Sequence, residues 1–357
     1  MRPPSCLREY ARYCSLNIFG MLALSCYILA DTFFVANGLG ADGLAALNLA
    51  LPVYSLIHGS GLMLGMGGAP MRSMLAMVSG SLSNILLDYL FLFPLNMGMF
   101  GAVFATGLAP IISMAVLASF FLRRQNGFHP VSCRPSLSLG RAIAAAGVPS
   151  LVTEVSSGLV ILVFNAILLR LQGNLGVAAY AVVANLSLVV FSIYTGIAQG
   201  TQPLLSGYYG SGCRSNIRAV LRYAVVTVLV LSTLLYTLMF LEADSIVSAF
   251  NREQDPALQA MAVWGLKLYF IACPCVGLNI VLSVYFTSTE VPRPAHVISL
   301  LRGFFLILPL SFLLSQFWGM NGLWLTFPIT EWLVAGVAIL FYLRTQKGPS
   351  LRGNRSG

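Results

Sequence analysis

The feature that most constrains this sequence is the recurrence of apolar runs about 20 residues long, the length at which a helix crosses a bilayer. Backbone polar groups must be paired internally in lipid, so such runs fold as helices, and they lack the alternation of barrel strands. Only 9% of the residues are charged and 58% are hydrophobic, whereas soluble proteins carry about 25% charged residues. We therefore predict an all-α integral membrane protein with about ten transmembrane helices. The predicted spans are 13–37, 45–69, 73–95, 99–122, 143–169, 176–200, 219–241, 261–287, 295–316 and 321–343.

The positive charge of the chain is concentrated on one predicted side of the membrane. The formal net charge is +9, and with ten spans nearly all basic residues fall on the side that carries both termini. By the positive-inside rule that side is the cytoplasm. We therefore expect a multi-pass protein of the cell membrane with both termini cytoplasmic. The basic balance is a topology signal, and we expect no nucleic-acid partner.

An internal repeat relates the two halves of the sequence. A shift of 133 residues aligns the segment 40–70 with 173–203, including six identical glycine, alanine and proline positions. A shift of 221 residues aligns a second set of identical residues. In that set Arg72, Gly98, Met99 and Gly101 align with Arg293, Gly319, Met320 and Gly322. The two halves are therefore copies of one module.

The two shifts differ by 88 residues, so the second copy contains a segment between Pro203 and Arg293 that the first copy lacks. This segment holds the spans 219–241 and 261–287. Because the copies differ by a pair of spans, both keep the same orientation in the membrane, as parallel repeats do. We predict two helical lobes of four and six spans. The shortened first lobe covers 1–122, a cytoplasmic linker covers 123–142, the second lobe covers 143–343 and a basic cytoplasmic tail covers 344–357.

Four polar residues of the first lobe converge at one predicted depth. Asp31 and Asp88 both lie about two helical turns from the predicted outer face, given a rise of about 1.5 Å per residue. Asn84 precedes Asp88 by four residues and so shares its helix face, and Thr106 reaches a similar depth on the next span. Two acids at one depth repel each other unless they share a proton or cation. We expect an ion-coupling site for H⁺ or Na⁺. The alternative is a set of interhelical hydrogen bonds that fix packing.

Two further acids lie inside spans of the second lobe. Glu154 stands near mid-membrane between Pro149 and Gly158, where a bend would expose its carboxylate, so it is a candidate ion-coupling or substrate residue. Glu331 lies close in predicted depth to Arg302 of the preceding span. We interpret these two residues as an internal ion pair.

The motifs of soluble enzymes are absent from the sequence. There is no Walker A loop, no G-x-S-x-G and no H-E-x-x-H. The segment 38–43 matches the dinucleotide fingerprint by letter, but it follows a membrane helix instead of a strand, so the match is coincidental. The seven cysteines lack the spacing of metal ligands. We predict that the protein is not an enzyme and has no catalytic residue, metal site or cofactor, apart from the coupling ion.

Several motifs, in order along the chain, resemble those of the multidrug and toxic-compound extrusion (MATE) transporters. The motifs are ADTFFV, GLGADGLAALNLALP, SNILLDYLF, MGMFGAVFAT, GVPSLVTE and GTQPLLSGYYGSG, and the resemblance runs over about 12–342. It implies two lobes that export cationic amphiphiles against H⁺ or Na⁺. By motif, Asp31 would be the ion-site acid of the first lobe and Glu154 the acid of the second. Asn84, Asp88 and Thr106 would be companions of Asp31.

The chain departs from this family in its first lobe, where the third and fourth spans are absent, in agreement with the gap found from the repeat. We expect a secondary active efflux transporter that works by alternating access. Its expected partners are the lipid bilayer and small cationic or amphiphilic substrates, and a monomer is favoured. One alternative is a non-transporting remnant of such a transporter. Another is a flippase for lipid-linked precursors, whose cavity would carry more basic residues.

Overall fold

The computed structural model describes residues 6–31, 34, 70–122, 137–251 and 254–347. The predicted span 45–69 lies outside these residues. Throughout the described ranges the chain is helical, with short turns between helices and no strand. This confirms the predicted all-α class, which follows from apolar runs that pair their backbone groups within each helix.

Long apolar helices account for most of the described residues. The helices are α1 (Cys6–Asp31), α2 (Pro70–Leu92), α3 (Gly98–Leu122), α4 (Leu137–Gly210), α5 (Arg214–Leu241), α6 (Ala243–Phe250), α7 (Pro256–Tyr269), α8 (Cys273–Ser288), α9 (Pro292–Leu300) and α10 (Ile307–Lys347). A 3₁₀ turn, Phe270–Ala272, precedes α8, and a π-helical segment, Leu301–Phe305, follows α9. Within the described residues, five helical stretches are long and apolar enough to cross a membrane, and two of them, of 60 and 55 residues, have the length of two spans each.

Glycines with positive φ interrupt the two longest helices. Gly173, inside α4, has φ 64° and ψ −152°, and Gly319, inside α10, has φ 56° and ψ −130°. This backbone conformation is open to glycine and strained for other residues, so each glycine ends one span and begins the next. Gly98, which the repeat aligns with Gly319, has φ 59°. The matching conformation at the two aligned positions supports the repeat found in the sequence.

The chain divides into two compact units. The first comprises Met1–Gly147 with Val183–Ala224, and the second comprises Val148–Val182 with Val225–Gly357. Part of α4 therefore groups with the N-terminal helices, whereas the sequence analysis placed all of 143–343 in one lobe. The predicted lobe boundaries stay predictions, since most of the linker 123–142 lies outside the described residues.

Helix α1 packs closely on the second half of α4, within the first unit. A side chain at Gly200 would meet the backbone of Cys14, 2.7 Å from its Cα, and one at Gly196 would meet Ile18, 2.6 Å from its Cα. Gly196 and Gly200 are four residues apart and share a helix face, so they form the small-residue contact that lets membrane helices approach. The Sγ of Cys14 also donates a hydrogen bond to the carbonyl oxygen of Ile197, at 3.6 Å. This contact explains why the second half of α4 groups with α1.

A buried tryptophan lies between α7 and α10 in the second unit. Trp324 of α10 is 1% exposed, and a side chain at Gly265 of α7 would overlap its indole ring. One turn further along α10, Phe327 stacks on Tyr269 with ring centroids 4.4 Å apart. These contacts hold α7 against the part of α10 that carries Glu331.

Candidate functional site

Three of the predicted site residues lie buried in the first unit. Asp31 is the last residue of α1 and is 7% exposed, and Asn84 and Asp88 of α2 are both 0% exposed. Asn84 and Asp88 are four residues apart, so one face of α2 presents both. Asp31 is close enough to Asp88 for their charges to interact. The structure therefore brings together the two acids that were predicted at one depth.

Five buried polar atoms of these three side chains lack hydrogen-bond partners among the described residues. The atoms are Oδ1 of Asp31, both amide atoms of Asn84 and both carboxylate oxygens of Asp88. An unpartnered buried polar group costs about 1–3 kcal/mol, and a buried charge without a partner costs more. Within the described part of the chain, these residues therefore form an acidic centre that a proton or small cation would stabilise.

The chemistry of these side chains suits an ion bound through oxygen. Two carboxylates and an amide oxygen are hard ligands, which suit protons and hard cations rather than soft metals. The described residues contain no group of three or more His, Cys, Asp or Glu side chains that could hold a metal ion. A proton shared between Asp31 and Asp88, or a monovalent cation held by them with Asn84, matches the ligands that are present.

Thr106 lies on α3, which packs along α2. Its hydroxyl donates a hydrogen bond to the carbonyl oxygen of Ala102, 3.0 Å away, so its proton is used within its own helix and its lone pairs are left for a cation. Among the described residues, no hydrogen bond joins Thr106 to the acidic centre. Its predicted part in ion coupling stays a prediction.

Glu154 lies in the second unit, on α4, with a half-buried side chain. The surrounding hydroxyls bond within the helix: Thr153 donates to the carbonyl oxygen of Pro149 at 2.8 Å, and Ser157 donates to that of Thr153 at 2.9 Å. The backbone stays helical through this stretch as far as Gly173, so the bend expected near Glu154 does not take the form of a break in the helix. Its role as a coupling or substrate residue stays a prediction.

The ion pair predicted between Glu331 and Arg302 is present in the second unit. The Nε of Arg302 donates to Oε1 of Glu331 over 2.8 Å, and the Nδ2 of Asn279 donates to Oε2 over 2.8 Å. Glu331 is 1% exposed and Asn279 is 0% exposed. The sequence analysis missed Asn279, because a single asparagine in an apolar span carries no signal that points to a partner 52 residues further on.

Comparison with known proteins agrees with the motifs of the sequence. The family model described as MatE matches residues 149–313. The multidrug export protein MepA of Staphylococcus saprophyticus is 24% identical over 341 residues, which cover 91% of this chain and 74% of that protein. MepA of Staphylococcus haemolyticus is 25% identical over 283 residues, which cover 78% of this chain and 62% of that protein. The chain thus spans about three quarters of the first relative and less than two thirds of the second.

The fold agrees as well. A solved structure of MATE in complex with MaD5 superposes with a TM-score of 0.85 over 99% of both chains, at 18% sequence identity. At that identity the superposition establishes the fold alone, while the family model and the MepA relatives show the similarity in sequence. The chain therefore resembles the MATE transporters in sequence and shares their fold as a multi-pass membrane protein, and the similarity is to transporters and not to enzymes.

Proposed function

We propose that the protein exports small cationic or amphiphilic compounds across the cell membrane in exchange for H⁺ or Na⁺. Both termini are cytoplasmic in this proposal, as the distribution of basic residues predicts. One cavity opens alternately to the two sides of the membrane. The relatives named as multidrug export proteins support the substrate class.

The observation that carries the proposal is the buried acidic centre of Asp31, Asn84 and Asp88. Two carboxylates that lie together without partners are unstable when both are ionised, so the centre is more stable after it has bound a proton or cation. An ion that binds one conformation of a transporter more tightly than the other shifts the equilibrium toward that conformation. Loading and release at this centre would therefore drive the exchange of conformations.

The energy for export would come from the ion gradient. One charge that crosses 100 mV is worth about 2.3 kcal/mol. If one H⁺ or Na⁺ is exchanged for one monovalent organic cation, these electrical terms cancel. The remaining drive is the concentration ratio of the coupling ion, about 1.4 kcal/mol for each factor of ten.

The proposal is tested by gradient-driven transport in proteoliposomes. Purified protein should move a fluorescent organic cation against its gradient when a pH or Na⁺ gradient is imposed. Asp31→Asn and Asp88→Asn should each abolish this movement and leave membrane insertion and yield intact. Asp244→Asn, at an exposed acid of α6, is the matched control and should transport as the unmodified protein does.

Each other outcome has a definite meaning. Transport that survives Asp31→Asn and Asp88→Asn would remove these acids from the mechanism. Absence of transport by the unmodified protein under either gradient would favour a remnant that has lost transport together with two spans of its first lobe. Movement of a lipid-linked precursor analogue in place of the organic cation would favour a flippase.

A further inference from the structure

We propose that Glu331 is a proton-binding site of the second unit, in addition to the acidic centre of the first, with Asn279 and Arg302 as its positioning residues. A hydronium ion from water delivers the proton to one carboxylate oxygen of Glu331. The ion pair becomes a neutral carboxylic acid beside a released guanidinium. One O–H bond forms at Glu331 as one breaks in hydronium, and the charge of the protein rises by one.

The pairing between Glu331 and Arg302 uses one N–H of the guanidinium instead of two. An arginine binds a carboxylate most strongly when two parallel N–H groups engage both oxygens. Here Arg302 engages Oε1 through Nε, and Asn279 engages Oε2. The Arg302 side chain is 14% exposed and the Glu331 side chain 2%. The guanidinium therefore has some access to the outside of the packed unit, whereas the carboxylate has almost none.

Asn279 has an unused acceptor beside the carboxylate. Its Nδ2 donates to Oε2 and, over 3.0 Å, to the backbone oxygen of Glu331. Its Oδ1 is buried and has no partner among the described residues. A protonated Glu331 becomes a hydrogen-bond donor, and a half-turn of the Asn279 amide would place Oδ1 where Nδ2 now lies. The same side chain can thus donate to the carboxylate and accept from the acid.

The helices around this site are irregular where they meet it. Arg302 lies in the π-helical segment Leu301–Phe305, and Pro328 stands inside α10 three residues before Glu331. A 3₁₀ turn precedes α8. Irregular backbone at membrane depth is retained where it lines a site or cavity, and π-helical segments recur at functional sites.

Few ionisable groups face Glu331 from the elements packed against it. The π-helical segment contributes Arg302, and α8 contributes the thiol of Cys275, which interacts electrostatically with Glu331. In the described structure, α7 and α9 contribute no hydrogen bond or ion pair to this carboxylate. In this part of the chain, Arg302 therefore neutralises the charge of Glu331. A proton bound to the carboxylate would neutralise the same charge in its place.

The pair is particular to the second copy of the repeat. The 221-residue shift aligns Arg302 with Ser81 and Glu331 with Pro110, and neither of those residues ionises in the accessible range. The first copy carries its acids at other positions, on α1 and α2, without a basic side chain bonded to them among the described residues. The two copies therefore hold their buried acids in different ways.

The test is proton binding by the purified full chain that carries Asp31→Asn, Asp88→Asn and Glu154→Gln, which removes the other acids predicted to lie inside spans. Infrared difference spectra between neutral and acidic pH should show the carbonyl band of one protonated, buried carboxyl group. Adding Glu331→Gln should abolish this band, and adding Glu290→Gln, at an exposed glutamate, should leave it. A purely structural ion pair would give no such band while the protein stays folded.

A second variant keeps the test decisive if Glu331→Gln fails to fold. Arg302→Met combined with Glu331→Met removes both charges, and such replacements of a buried pair are often neutral for stability. This variant should fold and lack the band. A band that persists in it, or no band at any pH at which the parent is folded, would overturn the proposal. The parent in this experiment lacks the acids of the proposed transport mechanism, so the result is independent of whether the protein exports.

Discussion

Replacing Gly200 with alanine should weaken the contact between α1 and α4, whereas the same change at Gly207 of α4 should not. A methyl group at Gly200 would stand 2.7 Å from the Cα and 2.8 Å from the backbone nitrogen of Cys14. Carbon atoms in contact lie about 3.5–4.0 Å apart, so the helices must separate by roughly 1 Å. The neighbour is backbone, and no change of rotamer relieves the overlap. Gly207 has nothing within 4 Å of the added atom.

The expected magnitude comes from two opposing effects. Alanine is favoured over glycine in a helix by about 1 kcal/mol, and both variants gain this term. Overpacking costs about 1–3 kcal/mol, and only the variant at Gly200 incurs it. We expect Gly207→Ala to stabilise the fold by up to about 1 kcal/mol and Gly200→Ala to range from neutral to destabilising by about 2 kcal/mol.

The assay is thermal and denaturant unfolding of the purified protein in detergent, with both variants prepared in parallel. Adding Gly196→Ala to Gly200→Ala should cost less than the sum of the separate changes, because the first displacement already opens the crossing. If Gly200→Ala proves as stable as Gly207→Ala, the close approach of α1 and α4 is refuted.

Three further predictions concern single features of the second unit and of α4. Asp255→Ala should destabilise the start of α7 by about 0.5–2 kcal/mol, because Oδ1 of Asp255 accepts from two backbone N–H groups of the first turn at 2.8 and 3.4 Å; unchanged hydrogen-exchange protection of that turn would contradict this. Gly173→Ala should cost about 1–3 kcal/mol through backbone strain alone, since nothing lies within 4 Å of an added side chain; a melting temperature equal to that of the unmodified protein would disprove it. Arg302→Met should cost about 3–5 kcal/mol, because it leaves the buried Glu331 without its cation, and adding Glu331→Met should restore most of the loss; a double variant as unstable as the single one in denaturant unfolding would speak against a buried charge as the cause.

The helices and the main charged contacts of this protein were predictable because the membrane restricts both. An apolar run of spanning length has few alternatives to a helix, and a charge inside it needs a partner at the same depth. Depth alone therefore pointed to the ion pair of Glu331 with Arg302, and it placed Asp31 at the level of Asp88. The repeat predicted a shared backbone feature, which the positive φ of Gly98 and Gly319 displays.

Depth does not determine which way a side chain points or which helices are neighbours. Thr106 was predicted at the level of the two acids, yet its hydroxyl bonds within its own helix. The contact of Gly200 with Cys14 joins residues far apart in sequence, and small residues occur in many spans, so no local signal selects this pair. The π-helical segment also depends on packing, since a side chain at Gly303 would overlap Ser156 of α4.

The hydrogen bonds of Glu331 indicate which copy of the repeat can lose a pair of spans. The first copy lacks a counterpart of the stretch that holds α5 and α8, and the acids of its described helices lie on α1 and α2, which remain. Removing the same stretch from the second copy would delete α8 together with Asn279. The Oε2 of Glu331 would then lie in the membrane interior without a hydrogen-bond donor. We therefore expect natural variants of this gene to tolerate deletions of paired spans in the first half. Selection should remove variants that carry such deletions in the second half.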